Sequence, residues 1–166
     1  LLLSVTGSLA FTTPVNKTSQ ESLQSIAREK GLFYGVALDD YIFQDKELQT
    51  AILKDIGAIT PENGCKWDII RANKDFNFSH CDRLLDFARS HNLLFRGHTL
   101  VWHVANPDWL NKEINRSNAD RLLQEYINKV MSRYRGKVHS WDVVNEVVAP
   151  EDGRPDGLRK NIWLQN

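Results

Sequence analysis

Late in the sequence, Trp141-Asp142-Val143-Val144-Asn145-Glu146 reads as an apolar strand that finishes on a carboxamide next to a carboxylic acid. A Glu presented at the carboxyl end of a buried strand is placed to donate a proton, and an Asn beside it to hold a sugar hydroxyl. Cleaving a glycosidic bond takes two carboxyl groups flanking that bond, so Glu146 calls for a partner. Other polar residues gather in similar positions: Glu62, Asn63 and Lys66 follow a second apolar run, and His98 and Trp102 lie on a third. His98, Leu100 and Trp102 share one parity on a regular strand, which predicts an imidazole to hydrogen-bond and an indole to stack on the same side. By the same alternation His103 is expected to face away, which argues against a two-histidine metal site. Asn145 and Glu146 are adjacent and reach one cavity only if the strand ends or bulges there. Plainer readings compete: His98 as a satisfied core histidine, Lys66 and Glu62 as a surface ion pair worth well under ~1 kcal/mol, and Glu146 as a solvated acid. Against the last, Val143-Val144 is apolar enough for burial on both faces of a sheet.

The elements that must position these groups alternate in type. Residues 33–38 form the first expected strand. A helical stretch follows from about Lys46, with Leu48, Ala51, Ile52 and Ile56 on one face and Gly57 as its stop. Residues 58–60 form the second strand, running into Pro61. Ser79-His80-Cys81-Asp82 has the form of a capping box opening a helix that buries Cys81, Leu84, Leu85 and Ala88. Residues 94–102 form the third strand. A second capping-box pattern, Ser117-Asn118-Ala119-Asp120, precedes a helix bearing Leu123, Tyr126, Ile127, Val130 and Tyr134 and closed by Gly136. Residues 138–145 form the fourth strand, and Gly157-Leu158-Arg159 suggests a further helix. This pace matches an α/β fold of the (β/α)8 TIM-barrel type, whose full form takes about 250 residues, so the chain supplies roughly the first four units. The reactive groups of such barrels sit at the carboxyl ends of the strands, where the polar residues cluster here. A small doubly wound sheet ranks second, because no Gly-rich phosphate loop follows the first strand. Half a barrel leaves two strand edges open, which favours self-association.

Composition narrows the partners. The 166 residues are 42% hydrophobic and 25% charged, the profile of a soluble globular domain. With 21 basic and 21 acidic residues the formal charge is zero, which gives no electrostatic pull toward nucleic acid or an anionic membrane and suits a neutral substrate. Residues 1–10 are apolar and end in Ser8-Leu9-Ala10, like the tail of a secretory signal peptide. Export to the cell exterior or periplasm is therefore expected. No other stretch approaches the ~20 apolar residues of a membrane span. Cys65 and Cys81 are too few for a disulfide scaffold; they form one bridge in an oxidising compartment or remain two buried thiols.

Three motifs, Thr60-Pro61-Glu62-Asn63-Gly64-Cys65-Lys66-Trp67-Asp68, Arg96-Gly97-His98-Thr99-Leu100-Val101-Trp102-His103 and Trp141 to Glu146, come in order and at the right distances to resemble glycoside hydrolase family 10, the retaining endo-1,4-β-xylanases. The likeness covers residues 22–166 and the first half of the family's catalytic barrel. The resemblance implies that Glu146 is the acid/base and that Asn145 binds the sugar at the cleavage point and the nucleophile. His98, Trp102 and Lys66 match residues lining the same subsite, and Glu62 and Asn63 match those gripping the next xylose. The family's nucleophile is a Glu on the seventh strand, and no position here corresponds to it. The chain alone is thus expected to lack appreciable activity. No metal or cofactor is expected; the partners are xylan or xylo-oligosaccharides and the missing C-terminal half of the barrel. Two positions depart from the pattern. Cys65 stands where the family usually has a longer apolar residue, often Met, a change expected to affect packing alone, and Ala105 stands where a Gln is usual, which weakens hydrogen bonding near the site. Two rivals remain open: a non-catalytic carbohydrate-binding remnant, and a barrel glycanase acting on cellulose or mixed glucans.

Overall fold

Four parallel strands, β1 (Gly35–Leu38), β2 (Ala58–Pro61), β3 (Leu94–Gly97) and β4 (Ser140–Trp141), lie side by side in chain order. The computed structural model describes residues 21–165, so the leader-like residues 1–10 lie outside the described residues. The strand order settles the topology in favour of a barrel-type sheet, because a doubly wound sheet reverses direction at a switch point and this one does not. Val36 pairs with Ile59 and Ile59 with Phe95, so one register carries an apolar row across three strands.

Among the described residues seven α-helices accompany the sheet: α1 (Leu23–Glu29), α2 (Lys46–Asp55), α3 (Trp67–Ile70), α4 (Ser79–Ser90), α5 (Asp108–Glu113), α6 (Ala119–Tyr134) and α7 (Ile162–Gln165). In α4 the buried residues are Cys81, Leu84, Leu85, Phe87 and Ala88. In α6 they are Ala119, Leu122, Tyr126, Val130 and Tyr134, a stripe at helical spacing. These two faces join Leu38, Ile59 and Phe95 of the strands in one core, where the Tyr126 ring stacks on Trp67 at 3.8 Å between centroids.

Several local expectations give way. Neither capping box forms: Phe78 and Asn118 occupy the N-cap positions without a side-chain cap bond. At α4 an upstream asparagine takes over, since Asn77 Oδ1 accepts from the Ser79 N–H at 3.0 Å. At α6 the first helical N–H, that of Ala119, goes to the Asn115 carbonyl at 3.0 Å, and Asn115 Oδ1 accepts from the Ser117 N–H ahead of the helix. Leu158 pairs antiparallel with Val148, and the further helix expected after it begins at Ile162. β3 and β4 stop at Gly97 and Trp141, well short of residues 102 and 145, with one further bridge from Val101 to Val144. Val143 and Val144, expected to be buried on both faces, are 56% and 51% exposed, because among the described residues nothing packs over them.

Cys65 and Cys81 form a disulfide, with 4.8 Å between Cα atoms, and both are fully buried. Joining residues 16 apart restricts the unfolded chain and contributes about 3 kcal/mol on the loop-entropy account.

Gly97 pairs with Trp141 in the β3–β4 register, and a Cβ there falls 2.4 Å from Cε3 of the indole. Gly97→Ala is therefore expected to destabilise the fold by about 1–3 kcal/mol through overpacking, read as a lower urea midpoint at unchanged slope.

Candidate functional site

Beyond β3 and β4 the two chain segments stay paired. The Leu100 N–H donates to the Asp142 carbonyl at 3.0 Å, that of Val101 to Val143 at 3.0 Å, and that of Asn145 to Val101 at 2.9 Å. The chain then turns at Glu146, whose φ of +50° lies in the left-handed region, a conformation that costs a non-glycine residue about 1 kcal/mol. Regular alternation ends at this turn, and Glu146 is not among the residues that line the cavity beside Asn145. The Arg159 Nε–H donates to the Glu146 carbonyl at 2.8 Å and holds the turn. The Glu146 carboxylate, half exposed, accepts from Trp102 Nε1 at 2.9 Å, and His103 Nδ1 lies 3.7 Å from the same oxygen.

A second cluster sits beneath. Asp142 is bonded by His98 Nδ1 at 3.0 Å, by Arg96 Nε at 2.9 Å and by Arg96 Nη2. Partial burial pushes the Asp142 carboxyl up, but the hydrogen bonds from Arg96 and His98 outweigh it and hold the group below the usual aspartate range. A carboxylate only accepts, so the Nδ1–H of His98 is assigned as the donor to Asp142. The Thr99 hydroxyl donates to the Asp142 carbonyl at 2.9 Å, and the His98–Thr99 peptide is cis.

The third part follows β2. The Glu62 N–H donates to the Leu38 carbonyl at 2.9 Å, and Tyr41 donates its hydroxyl to Glu62 Oε1 at 3.3 Å. Burial and the neighbouring Glu62 carboxylate push the Tyr41 hydroxyl pKa up. Lys66 pairs with Asn63, Nζ to Oδ1 at 3.0 Å, and its ammonium stands 4.8 Å from the Trp102 ring centroid, a cation–π contact. The surface ion pair of Lys66 with Glu62 does not form.

The structure thus links Asn63, Lys66, Trp102 and Glu146 in one chain of contacts, with the His98 ring 6.2 Å from that of Trp102. Glu62 lies at the outer end, and Asn145 lines a cavity of about 280 Å³ with Trp102, His103 and Trp163. His98 and Trp102 are brought together without the regular strand expected of them, since β3 ends at Gly97. For the same reason His103 does not face away; it meets the Glu146 carboxylate. Sequence reasoning passed over Tyr41, Arg96, Asp142 and Arg159. For Asp142 a signal existed: Gly97 pairs with Trp141, so one step along the parallel register sets His98 opposite Asp142.

The sequence model described as Glycosyl hydrolase family 10 matches residues 22–166. The chain belongs to glycosyl hydrolase family 10. Endo-1,4-beta-xylanase 3 of Hypocrea jecorina is 34% identical over 150 residues, covering 89% of this chain and 42% of the relative. Endo-1,4-beta-xylanase A of Thermotoga neapolitana is 38% identical over 141 residues, covering 79% of this chain and 13% of that protein. Among solved structures, xylanase 10B of Thermotoga petrophila in complex with xylobiose superposes with a TM-score of 0.79 at 30% identity, over 87% of this chain and 45% of the other. The chain spans less than half the length of each of these family 10 proteins. Its parallel sheet and helices correspond to the first four β/α units of the family's TIM barrel.

Because the folded Asp142 carboxyl sits below its ordinary value, its stabilising contribution is complete above that value and is lost as pH falls through the lowered one. Urea midpoints followed from about pH 6 to 2 should show a steeper loss below about pH 4 for the wild type than for Asp142→Asn.

Proposed function

We propose that the chain serves the retaining endo-hydrolysis of 1,4-β-D-xylosidic linkages in xylan, as the acid/base half of a complete family 10 barrel. The carrying observation is the Glu146 carboxylate, at the turn that closes the paired segment beyond β4, hydrogen-bonded by the Trp102 indole, which Lys66 in turn approaches from the Glu62–Asn63 shelf. Glu146 donates its proton to the leaving oxygen as a second carboxylate attacks the anomeric carbon from the other face. The departing sugar leaves with that proton, and Glu146 then takes one from the water that opens the glycosyl-enzyme. Asn145, His98, Trp102 and Lys66 hold the sugar at the cleavage point, and Glu62 and Asn63 hold the next.

In a retaining enzyme the two carboxyl groups stand about 5–5.5 Å apart. Among the described residues the Glu146 carboxylate meets Trp102 and His103 and no second carboxylate. We therefore assign the second carboxylate to the other half of the barrel. The exposed edge at Val143, Val144 and Val148, which is 56%, 51% and 63% exposed, supports this, since it offers apolar surface where a fifth unit would pack. The relatives' names favour xylan over glucans, and the xylobiose complex favours xylo-oligosaccharides as ligands. The buried disulfide supports folding in an oxidising compartment and hence export.

The purified 166-residue chain should release no reducing ends from xylan; release that Glu146→Gln abolishes would contradict the assignment of the nucleophile. In the complete enzyme Glu146→Gln should lower kcat on xylan by about 10²–10⁴-fold, and xylan should be hydrolysed faster than cellulose. A shelf that only binds sugar would instead give calorimetric binding of xylo-oligosaccharides with no turnover in the complete protein.

A further inference from the structure

The disulfide lies beside the shelf. Cys65 sits between Asn63 and Lys66 in the short connection from β2 to α3, and Cys81 is the third residue of α4. One residue earlier, the backbone of Gly64 lies so close to α4 that a Cβ there would approach Leu84 Cδ1 to 3.0 Å and Asp39 Oδ1 to 3.2 Å. The first turn of α4 is also tied to the end of β1: Asp40 Oδ2 pairs with His80 Nδ1 at 2.7 Å and with Arg83. Tyr41, next to Asp40, donates to Glu62.

These contacts close a circuit. It runs from Glu62 to Tyr41, from Asp40 to His80 and Arg83, along one turn of α4 to Cys81, and through sulfur to Cys65 within the shelf. Apart from the bridge, the connection is held at its start by the Glu62 N–H on the Leu38 carbonyl, internally by the Lys66 N–H on the Asn63 carbonyl at 2.8 Å, and at its end by the Ile69 and Ile70 N–H groups of α3 on the Lys66 carbonyl at 3.2 and 2.9 Å. None of these bonds ties the middle of the connection to α4. The disulfide is the covalent link that does so, and with the α3 anchor it sets where Lys66 meets Trp102.

We propose that the Cys65–Cys81 bridge is a positioning device for substrate binding, fixing Asn63 and Lys66 against Trp102, and not merely a staple for stability or a filler of core volume. The proposal rests on the sugar-gripping role given to the shelf above. A preorganised shelf strengthens ground-state and transition-state binding alike, so its loss raises KM and leaves kcat nearly unchanged.

The test compares the complete enzyme with Cys65→Ser/Cys81→Ser and with Cys65→Met/Cys81→Ala, the latter refilling the core with an unbranched apolar side chain. Three quantities are read: Tm, KM and kcat on xylotriose well below Tm, and amide hydrogen exchange across residues 62–70. Both variants should raise KM about tenfold with kcat within about twofold, and exchange at Lys66 should rise while the β1–β3 amides stay protected. The Met variant should regain part of the lost Tm and none of the lost affinity. If KM stays at the wild-type value in the serine variant, or if the Met variant restores KM together with Tm, the bridge only stabilises or fills and the proposal is overturned. If the wild-type enzyme neither binds nor cleaves xylotriose, the functional reading fails, and exchange alone decides: unchanged protection of Lys66 in both variants overturns the positioning claim, and faster exchange upholds it.

Discussion

The hydrogen bond from Trp102 Nε1 to Glu146 Oε2 joins residues 44 apart in sequence, and it depends on the parallel register of β3 with β4. The pairing outlives the strands but slips by one residue, from Gly97 opposite Trp141 to Val101 opposite Val144. It is carried by single backbone bonds from Leu100, Val101 and Asn145 as far as the turn at Glu146. Each bond fixes one backbone group of one segment on the other, so the two segments stay paired and the Trp102 and Glu146 side chains meet. Gly97 lets this happen, since any larger residue there would collide with the Trp141 ring and prise the two ends apart.

Around this pairing the polar groups arrange themselves by charge. Asp142 gathers Arg96 and His98, which keeps it ionised and orients the imidazole. Lys66 has a different pair of neighbours, an amide oxygen and the face of an indole. Its charge is thereby held over the indole that bonds the Glu146 carboxylate, without a direct ion pair to it. The shelf after β2 enters the same assembly from the other side, tied through sulfur to α4 and through Tyr41 to the end of β1. Groups from all four strand ends converge, which is how a parallel barrel builds a site from segments distant in sequence.

Much of this was legible in the amino-acid order, for reasons that can be named. The apolar stripes of α4 and α6 repeat at helical spacing, and short apolar runs between them leave little but parallel strands. The three polar clusters fall at strand ends because alternation of elements alone dictates where strands end. What escaped was whatever depends on geometry at the level of one residue. Parity arguments assumed that β3 runs to Trp102, whereas it stops at Gly97, so His103 was misplaced. Ser79 and Ser117 looked like caps, but Asn77 and Asn115 accept their N–H groups, and a choice between competing acceptors of similar strength does not show in residue types. The valines before Asn145 look buried by composition and are exposed for want of a neighbour among the described residues. The pairing of Cys65 with Cys81 depends on a helix start and a loop meeting in space, which sequence spacing leaves open.

The central claim, that Glu146 is the acid/base of a retaining glycosidase, is tested most directly by chemical rescue. In the complete enzyme carrying Glu146→Ala, a dinitrophenyl xylobioside needs no proton on its leaving group, so the first step survives and a glycosyl-enzyme accumulates for want of a base. Added azide needs no base either. The account predicts that azide accelerates turnover and yields a xylobiosyl azide of β configuration by NMR. No acceleration, or an α-configured azide, would contradict it.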